Sequence, residues 1–299
     1  MELNQLRVFC AVVEKKSFSR ASEAVFLSQP TVSLQIRALE QELGTRLLDR
    51  QGKEVSVTGS GKLLYGYARK ILQIANEAEQ AIAQLKGLIM GEIIIGASTI
   101  PGEYILPGLL AVFKEKYPGI EINLAIGDTK EIIRKVLDHE VEIGFVGQKE
   151  KGEKLEFHGF STEKLVLIAP VSPPLVPHDQ ITVEELKKVP FIIRESGSGT
   201  RSSIERTLHE FDVKEADLTI VMRVGSTAAV KKAVESGAGV SIISERAIEN
   251  EIKLDLLKKV PIEGLELQRE FFIVNRRGRS LSPATKALLA FLEEKGINR

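Results

Sequence analysis

The sequence predicts an α/β chain of unlike parts: a small helical domain ending in a two-stranded ribbon, a long connecting helix, and a two-lobed α/β domain. Three observations carry this reading. The 299 residues amount to about two domains at roughly 150 residues each. Residues 1–58 show short helical periods and then a turn-rich ribbon, 59–87 a helix without proline, and 91–299 alternating strand-like and helix-like segments. Within this last part, a shift of 98 residues lays EIIIGAS (92–98) on PFIIRES (190–196) and Gly127-Asp128-Thr129 on Gly225-Ser226-Thr227. Two lobes of similar construction are therefore expected, lobe I at about 91–162 and 268–299 and lobe II at about 163–267, with a ligand cleft at the carboxyl ends of their strands.

The elements follow in order. After Asn4, a suitable N-cap, Leu6, Phe9, Cys10 and Val13 fall at the spacing of a helix with one buried face. A second helix follows Ser17. A third starts at Ser28-Gln29-Pro30, where Ser caps and Pro is tolerated because its missing N–H has no helical partner, and it ends at Gly44. Val32, Ile36, Leu39 and Leu43 form its buried arc. Residues 45–57 then read as a hairpin turning at Gln51-Gly52. From Gly59 on, Leu64, Ile71, Ala78 and Leu85 recur every seven residues, with Tyr67, Ile74 and Ala81 three positions later. At about 1.5 Å per residue this helix is roughly 40 Å long, and its narrow stripe calls for a partner helix.

Composition narrows the function. Apolar residues make up 43%, charged residues 27% and aromatics 5%, as in ordinary globular proteins. The formal charge is zero, with 41 basic and 41 acidic side chains, but the average hides a difference. Residues 1–90 carry 12 Lys plus Arg against 9 Asp plus Glu, and the remainder is correspondingly acidic. Cys10 is alone, so no internal disulfide or thiolate cluster forms. With no export-type N-terminus and no apolar run near 18 residues, a cytoplasmic, non-membrane protein is expected.

The face of the third helix opposite its buried arc carries Ser33, Leu34 and Arg37, with Ser28, Gln29, Pro30 and Thr31 at its tip. Amides and hydroxyls there suit base edges and phosphates, Arg suits guanine or phosphate, and Leu suits a thymine methyl. A solvated helix of a small bundle shows the same spacing. The hairpin, with Arg46, Arg50 and Lys53, turns the reading toward a winged helix-turn-helix whose basic wing grips the backbone of double-stranded DNA.

The run SFSRASEAVFLSQPTVSLQIRALEQELGTRLLDR, followed by VTGSGKLLY, resembles the N-terminal domain of LysR-type transcriptional regulators. Ser28-Gln29-Pro30-x-Val32-Ser33 and Leu39-Glu40-x-x-Leu43-Gly44 carry the likeness; Ser22 departs from the family's frequent pair of alanines. The resemblance extends over the whole chain. It implies a winged domain, a linker helix and an effector domain similar to periplasmic solute-binding proteins. It also implies a homodimer or homotetramer on promoter DNA, with RNA polymerase as a further partner. Residue by residue it places Gln29, Pro30, Thr31, Ser33 and Arg37 on the recognition helix and Arg50 on the wing. GASTIPGEYILP (96–107) resembles the branch related to cysteine-biosynthesis regulators, whose ligands include sulfur oxyanions.

For the effector, Ser98 and Thr99 stand where a strand gives way to a helix, and Ser196, Ser198 and Thr200 occupy the matching place in the second lobe. Free N–H groups and hydroxyls at helix starts favour small anions. Thr129, Thr227 and Gln148 are further donors, although each Ser or Thr also reads as a simple N-cap. Enzyme chemistry finds no footing. The Gly197–Ser202 segment lacks the third glycine of a dinucleotide fingerprint. His139, His158, His178 and His209 lack metal-ligand spacing, and there is no nucleophile elbow. No cofactor or metal is expected. The alternative function is a small-molecule-binding protein whose N-terminal helices make only protein contacts.

Overall fold

The computed structural model describes every residue except 52–53, 86–88, 151, 173–174, 177 and 298–299, and the side chains of 50–51, 54 and 83–85 also fall outside the description. The chain forms two compact units, Met1–Gly91 with Asp138–Glu140, and Glu92–Leu137 with Val141–Arg299.

The first unit holds α1 (Leu3–Lys15), α2 (Phe18–Ala24), α3 (Gln29–Leu43), the strands β1 (Leu48–Gln51) and β2 (Glu54–Val57), and α4 (Gly59–Leu85). The cap of α1 is Glu2 rather than Asn4, and Gln5 Oε1 accepts from its backbone N–H at 2.8 Å. Val8, Ala11 and Val12 are buried besides Leu6, Phe9 and Cys10, so α1 is covered on more than one face. It is the central helix, packed by α2, α3 and α4. Burial pushes the Cys10 thiol up to about 12, helped by Glu14 and opposed by Arg69, which keeps it a protonated core residue. Ser17 and Ser28 cap α2 and α3 as expected. In α3, Val32, Ile36 and Leu39 are buried but Leu43 is exposed, because it lies in the last turn before Gly44 closes the helix.

Glu40 explains the motif that ends α3. Its Oε1 accepts from the N–H groups of Leu47 (2.8 Å) and Leu48 (3.2 Å), pinning the start of the antiparallel hairpin. Thr58 then joins hairpin to α4: its hydroxyl donates to Arg46 O at 2.8 Å and accepts from Gly61 N at 3.0 Å. A Cβ on Gly61 would lie 2.0 Å from the Leu47 carbonyl oxygen. Gly61→Ala is therefore expected to cost about 1–3 kcal/mol, read as a lowered midpoint in thermal denaturation; an unchanged midpoint would contradict this close approach.

The heptad of α4 divides between two faces. Leu64, Tyr65, Ala68, Ile71 and Leu72 pack on the core of this unit, while Leu63, Tyr67, Ile74 and Ile82 are more than half exposed. Leu64 and Ile71 therefore do not belong to the open stripe, because an α-helix drifts against a strict seven-residue repeat.

The second unit contains β3 (Gly91–Ser98), α5 (Leu106–Lys116), β4 (Ile120–Gly127), α6 (Thr129–Leu137), β5 (Ile143–Val146), β6 (Leu155–Pro170), α7 (Val183–Leu186), β7 (Phe191–Arg194), α8 (Gly199–Glu210), β8 (Ile220–Val224), α9 (Thr227–Glu235), β9 (Ser241–Ser244), α10 (Glu249–Lys253), β10 (Leu257–Val260), β11 (Leu267–Arg276) and α11 (Pro283–Glu294). The 98-residue shift carries α6 onto α9 and β5 onto β9 residue for residue. Strand orders repeat likewise: β4-β3-β5-β11 in one lobe, and β8-β7 with β9 on β6 in the other. The sheets are mixed rather than purely parallel, since β6, β10 and β11 run antiparallel to their neighbours.

Two long strands cross between the lobes. β11 pairs with β5 through Phe272–Asn275 in lobe I, and β6 pairs with β9 through Leu165–Ile168 in lobe II. Where they run side by side, Phe271 faces Ser161 and Phe272 faces Gly159, so Phe160 is bulged out of register at the crossing. A bulge of this kind bends its strand.

Candidate functional site

The first candidate surface is the tip of α3. Ser28, Gln29 and Pro30 are exposed, Thr31 and Ser33 are half-buried, and Leu34 and Arg37 stand out on the same helix. The Ser28 hydroxyl accepts from Thr31 N at 3.3 Å and lies 2.7 Å from the Thr31 hydroxyl, so these two residues first of all build the cap. Gln29, Leu34 and Arg37 remain as outward groups. Of the wing residues, Arg50 belongs by its backbone to β1, opposite Val55, while Lys53 lies outside the described residues.

The second candidate surface is the cleft between the lobes. Ser98 ends β3, and Thr99 opens the helical turn that leads through a π-helical stretch, Pro101–Ile105, into α5; such stretches recur at functional sites. Ser98, Thr99, Asp128 and Thr129 come from lobe I, and Arg194, Ser198, Gly199, Thr200 and Arg269 complete a cavity of about 10 Å³, roughly one water's worth. Five of the eight expected residues meet there. Gln148, Ser196 and Thr227 do not: the first two are exposed, Thr227 is buried, and none of the three lines it. Gln148 follows Gly147, the last residue of its turn to line the cavity, and Ser196 precedes Ser198, where the chain reaches it.

Capping decides which of these hydroxyls are free for other bonds. α6 is capped by Asp128, whose Oδ1 accepts from Glu131 N at 2.7 Å, and α9 by Ser226. Thr129 and Thr227, one residue on, are thereby released from capping. The Thr227 hydroxyl accepts from Arg194 Nη1 at 2.8 Å, and Thr129 Oγ1 is buried with no hydrogen-bond partner among the described residues. Ser198, by contrast, caps α8 through Arg201 N. The lobes touch at glycines: a Cβ on Gly199 would lie 2.8 Å from Thr129 Oγ1 and 3.4 Å from Gly147 Cα.

Two buried guanidiniums dominate the electrostatics. Arg194 is 5% and Arg269 4% exposed. Arg269 faces Glu163 directly across the two crossing strands; its Nε donates to Glu163 Oε1 at 2.5 Å and its Nη1 to Thr200 Oγ1 at 2.9 Å. Its Nη2 contacts the same carboxylate as an ion pair but finds no acceptor in hydrogen-bond geometry. Glu163 is also bonded by the Ser244 hydroxyl at 2.6 Å. Burial draws the Arg269 pKa down, and Arg194 nearby adds to this, against the pull of Glu163. Arg194 grips Glu195 through Nε and Nη2, at 2.7 and 2.8 Å. Burial works against the Glu195 carboxylate, yet the Arg194 pairing prevails and holds its pKa below the usual range.

Neither arginine was among the residues expected from the sequence. The available signal was the period of two in LQREFFIV, which puts Arg269 on the inward face with Leu267 and Phe271. For Arg194 it was a cation ending the apolar strand FIIR. Asp128 was visible only as part of the repeated turn.

Comparison with known proteins agrees with this architecture. Residues 3–62 match the bacterial regulatory helix-turn-helix proteins of the lysR family, and residues 86–296 match the LysR substrate binding domain. The chain is 36% identical over 293 residues to the RuBisCO operon transcriptional regulator of Allochromatium vinosum, covering 98% of this chain and 95% of that protein. Its fold is similar to that of CbnR, a LysR family transcriptional regulator, with a TM-score of 0.71 at 21% identity over 98% of this chain and 99% of that one. The CcmR regulatory domain of Synechocystis PCC6803, solved in complex with 2-PG, is similar at 28% identity with a TM-score of 0.62, covering 68% of this chain and 96% of that domain. The relatives' descriptions point to RuBisCO operons rather than specifically to the cysteine-biosynthesis branch. Among the described residues no helix is long and apolar enough to cross a membrane. With both halves of the chain matched and the helix-turn-helix and bilobed domain in place, the chain belongs to the LysR family of DNA-binding transcriptional regulators, with an effector-binding domain.

Proposed function

We propose that the interlobe cleft takes a small anion, and that Arg194 and Arg269 are its charged ligands, assisted by the hydroxyls of Ser98, Thr99, Thr129, Ser198 and Thr200. One observation carries this reading: two guanidiniums, each more than nine-tenths buried, line a cavity into which an unpartnered Thr129 hydroxyl also opens. A buried carboxylate holds Arg269 in place, and Glu195 holds Arg194, which prepares their remaining N–H groups for an oxyanion. The cavity is too small for a phosphoester, so binding parts the Gly147–Gly199 contact and bends the chain at the crossing strands. The effector thereby selects among lobe arrangements. The similarity to CcmR makes 2-phosphoglycolate the first candidate, and the GASTIPGEYILP resemblance makes sulfate and thiosulfate the second.

In the same proposal the tip of α3 (Ser28, Gln29, Pro30, Thr31, Ser33, Leu34 and Arg37) and the wing with Arg50 and Lys53 contact promoter DNA. The open stripe of α4 pairs two chains in a homodimer or homotetramer acting in the cytoplasm. The effector test is a thermal-shift series on the full-length protein with 2-phosphoglycolate, inorganic phosphate, sulfate, thiosulfate and uncharged glycerol. An oxyanion is expected to raise the midpoint and glycerol to leave it unchanged. Ser98→Ala and Thr200→Ala should each weaken the stabilising anion by about 0.5–1.5 kcal/mol, on the order of 3- to 10-fold. Equal affinity in both variants would remove the hydroxyls from the site, and no response to any oxyanion would remove the anion.

A further inference from the structure

The turn between α2 and α3 carries a feature that neither the core nor the recognition-helix tip accounts for. Phe26 is 94% exposed, the most open large apolar side chain among the described residues, and its backbone sits at φ +53°. That left-handed conformation crowds the Cβ of an L residue and is carried at little cost only by Gly, or by Asn and Asp. A bulky aromatic ring there gains nothing from burial in this unit, and the backbone bonds Phe26 N to Glu23 O and Leu27 N to Ser22 O form without help from the ring. The left-handed φ belongs to the end of α2, which these bonds close; the almost fully exposed ring is what points to a partner outside the chain.

We infer that Phe26 is a DNA-contact residue whose ring packs on the deoxyribose faces of the backbone beside the groove entered by α3. Position supports duplex DNA over other partners. Phe26 lies two residues before the Ser28 cap, so its Cα is within about 7.6 Å of that of the capping residue at roughly 3.8 Å per step. The surrounding segment is cationic: between residues 16 and 37, Lys16, Arg20 and Arg37 face a single acid, Glu23. Arg20 and Arg37 are both exposed, as is Leu34, a second outward apolar group on α3. Phosphates are attracted to such a segment, and sugars between them offer apolar surface to a ring. The inference rests on α3 being the recognition helix.

The test uses the full-length protein and a 40-bp duplex selected from a random pool by the wild type, with binding followed by fluorescence anisotropy at several salt concentrations. Phe26→Asn suits the left-handed backbone, so its thermal midpoint should be equal to or above that of the wild type. Its affinity for the duplex is expected to fall about 10-fold, equally at every salt concentration, because no cation is lost. Phe26→Trp, which keeps an aromatic face, should stay within twofold of the wild type. Arg37→Ala serves as the control. If Phe26→Asn binds within twofold of the wild type while Arg37→Ala binds weakly, the Phe26 contact is wrong and the recognition helix stands. If both bind normally, the recognition-helix reading fails as well. A change in oligomeric state by sedimentation with DNA affinity intact would assign the ring to a second copy of the chain and overturn the proposal.

Discussion

Arg269→Ala is expected to lower the stability of the effector-binding unit by about 3–5 kcal/mol, because it leaves Glu163 buried without its countercharge. Glu163 has a side chain 1% exposed, and among the described residues the Ser244 hydroxyl would remain as a donor to its carboxylate. The loss should appear as a fall of several degrees in the thermal midpoint of the full-length protein. The same substitution should abolish the stabilisation by an oxyanion. Stability and binding are separable through the pair Glu163→Gln with Arg269→Gln. That double variant carries no buried charge at the crossing strands, so most of the stability should return, while the oxyanion response should stay absent because the guanidinium is missing. A double variant that still responds to the anion at wild-type strength would exclude Arg269 as a ligand, and an Arg269→Ala protein with an unchanged midpoint would contradict the buried pair.

Gln29→Ala combined with Arg37→Ala is expected to abolish specific promoter binding while leaving a folded oligomer. Both side chains are exposed and belong to a helix whose core contacts are Val32, Ile36 and Leu39, so the midpoint should move little. Each good base contact contributes about 1–3 kcal/mol of discrimination, and losing two lowers the affinity for the selected duplex on the order of 100-fold or more. The check is a footprint on that duplex beside a titration of an unrelated duplex. Binding to the unrelated duplex should change far less, since the wing retains its cations. An unchanged footprint would sink the assignment of α3.

Much of the first unit could be read from local rules. Ser17, Ser28 and Gly44 mark helix ends because capping involves residues within three or four positions of each other. Asn4 misled for the same reason: Glu2 and Gln5 supply an equivalent cap two residues earlier. The heptad of α4 identified a long helix but not its faces. Leu64 and Ile71 are drawn to the core formed by α1 and the hairpin, leaving Leu63, Tyr67, Ile74 and Ile82 as the open stripe. In the second unit the 98-residue repeat identified both lobes, and α6 with α9 shows how closely the two copies keep their register.

The cleft was legible in part. Hydroxyls at strand-to-helix junctions stand out in a sequence, and five of those singled out line the cavity. Which of them are occupied by capping was decided by neighbours: Asp128 and Ser226 cap their helices and leave the Thr129 and Thr227 hydroxyls uncommitted to capping, whereas Ser198 caps its own helix. Gln148 and Ser196 sit next to the right residues and still face outward.

Periodicity, caps and an internal repeat act over a few residues or at one constant offset, so the helix-turn-helix, the long helix and the two-lobed domain were already determined by the order of amino acids. The charged heart of the cleft was decided only when the chain folded. Arg269 meets Thr200 across 69 residues and Glu163 across 106, and no local pattern distinguishes an arginine that will be enclosed with a carboxylate from one that will remain in water. Burial makes that distinction, because removing a guanidinium from solvent is tolerable only where a distant strand brings a countercharge to meet it.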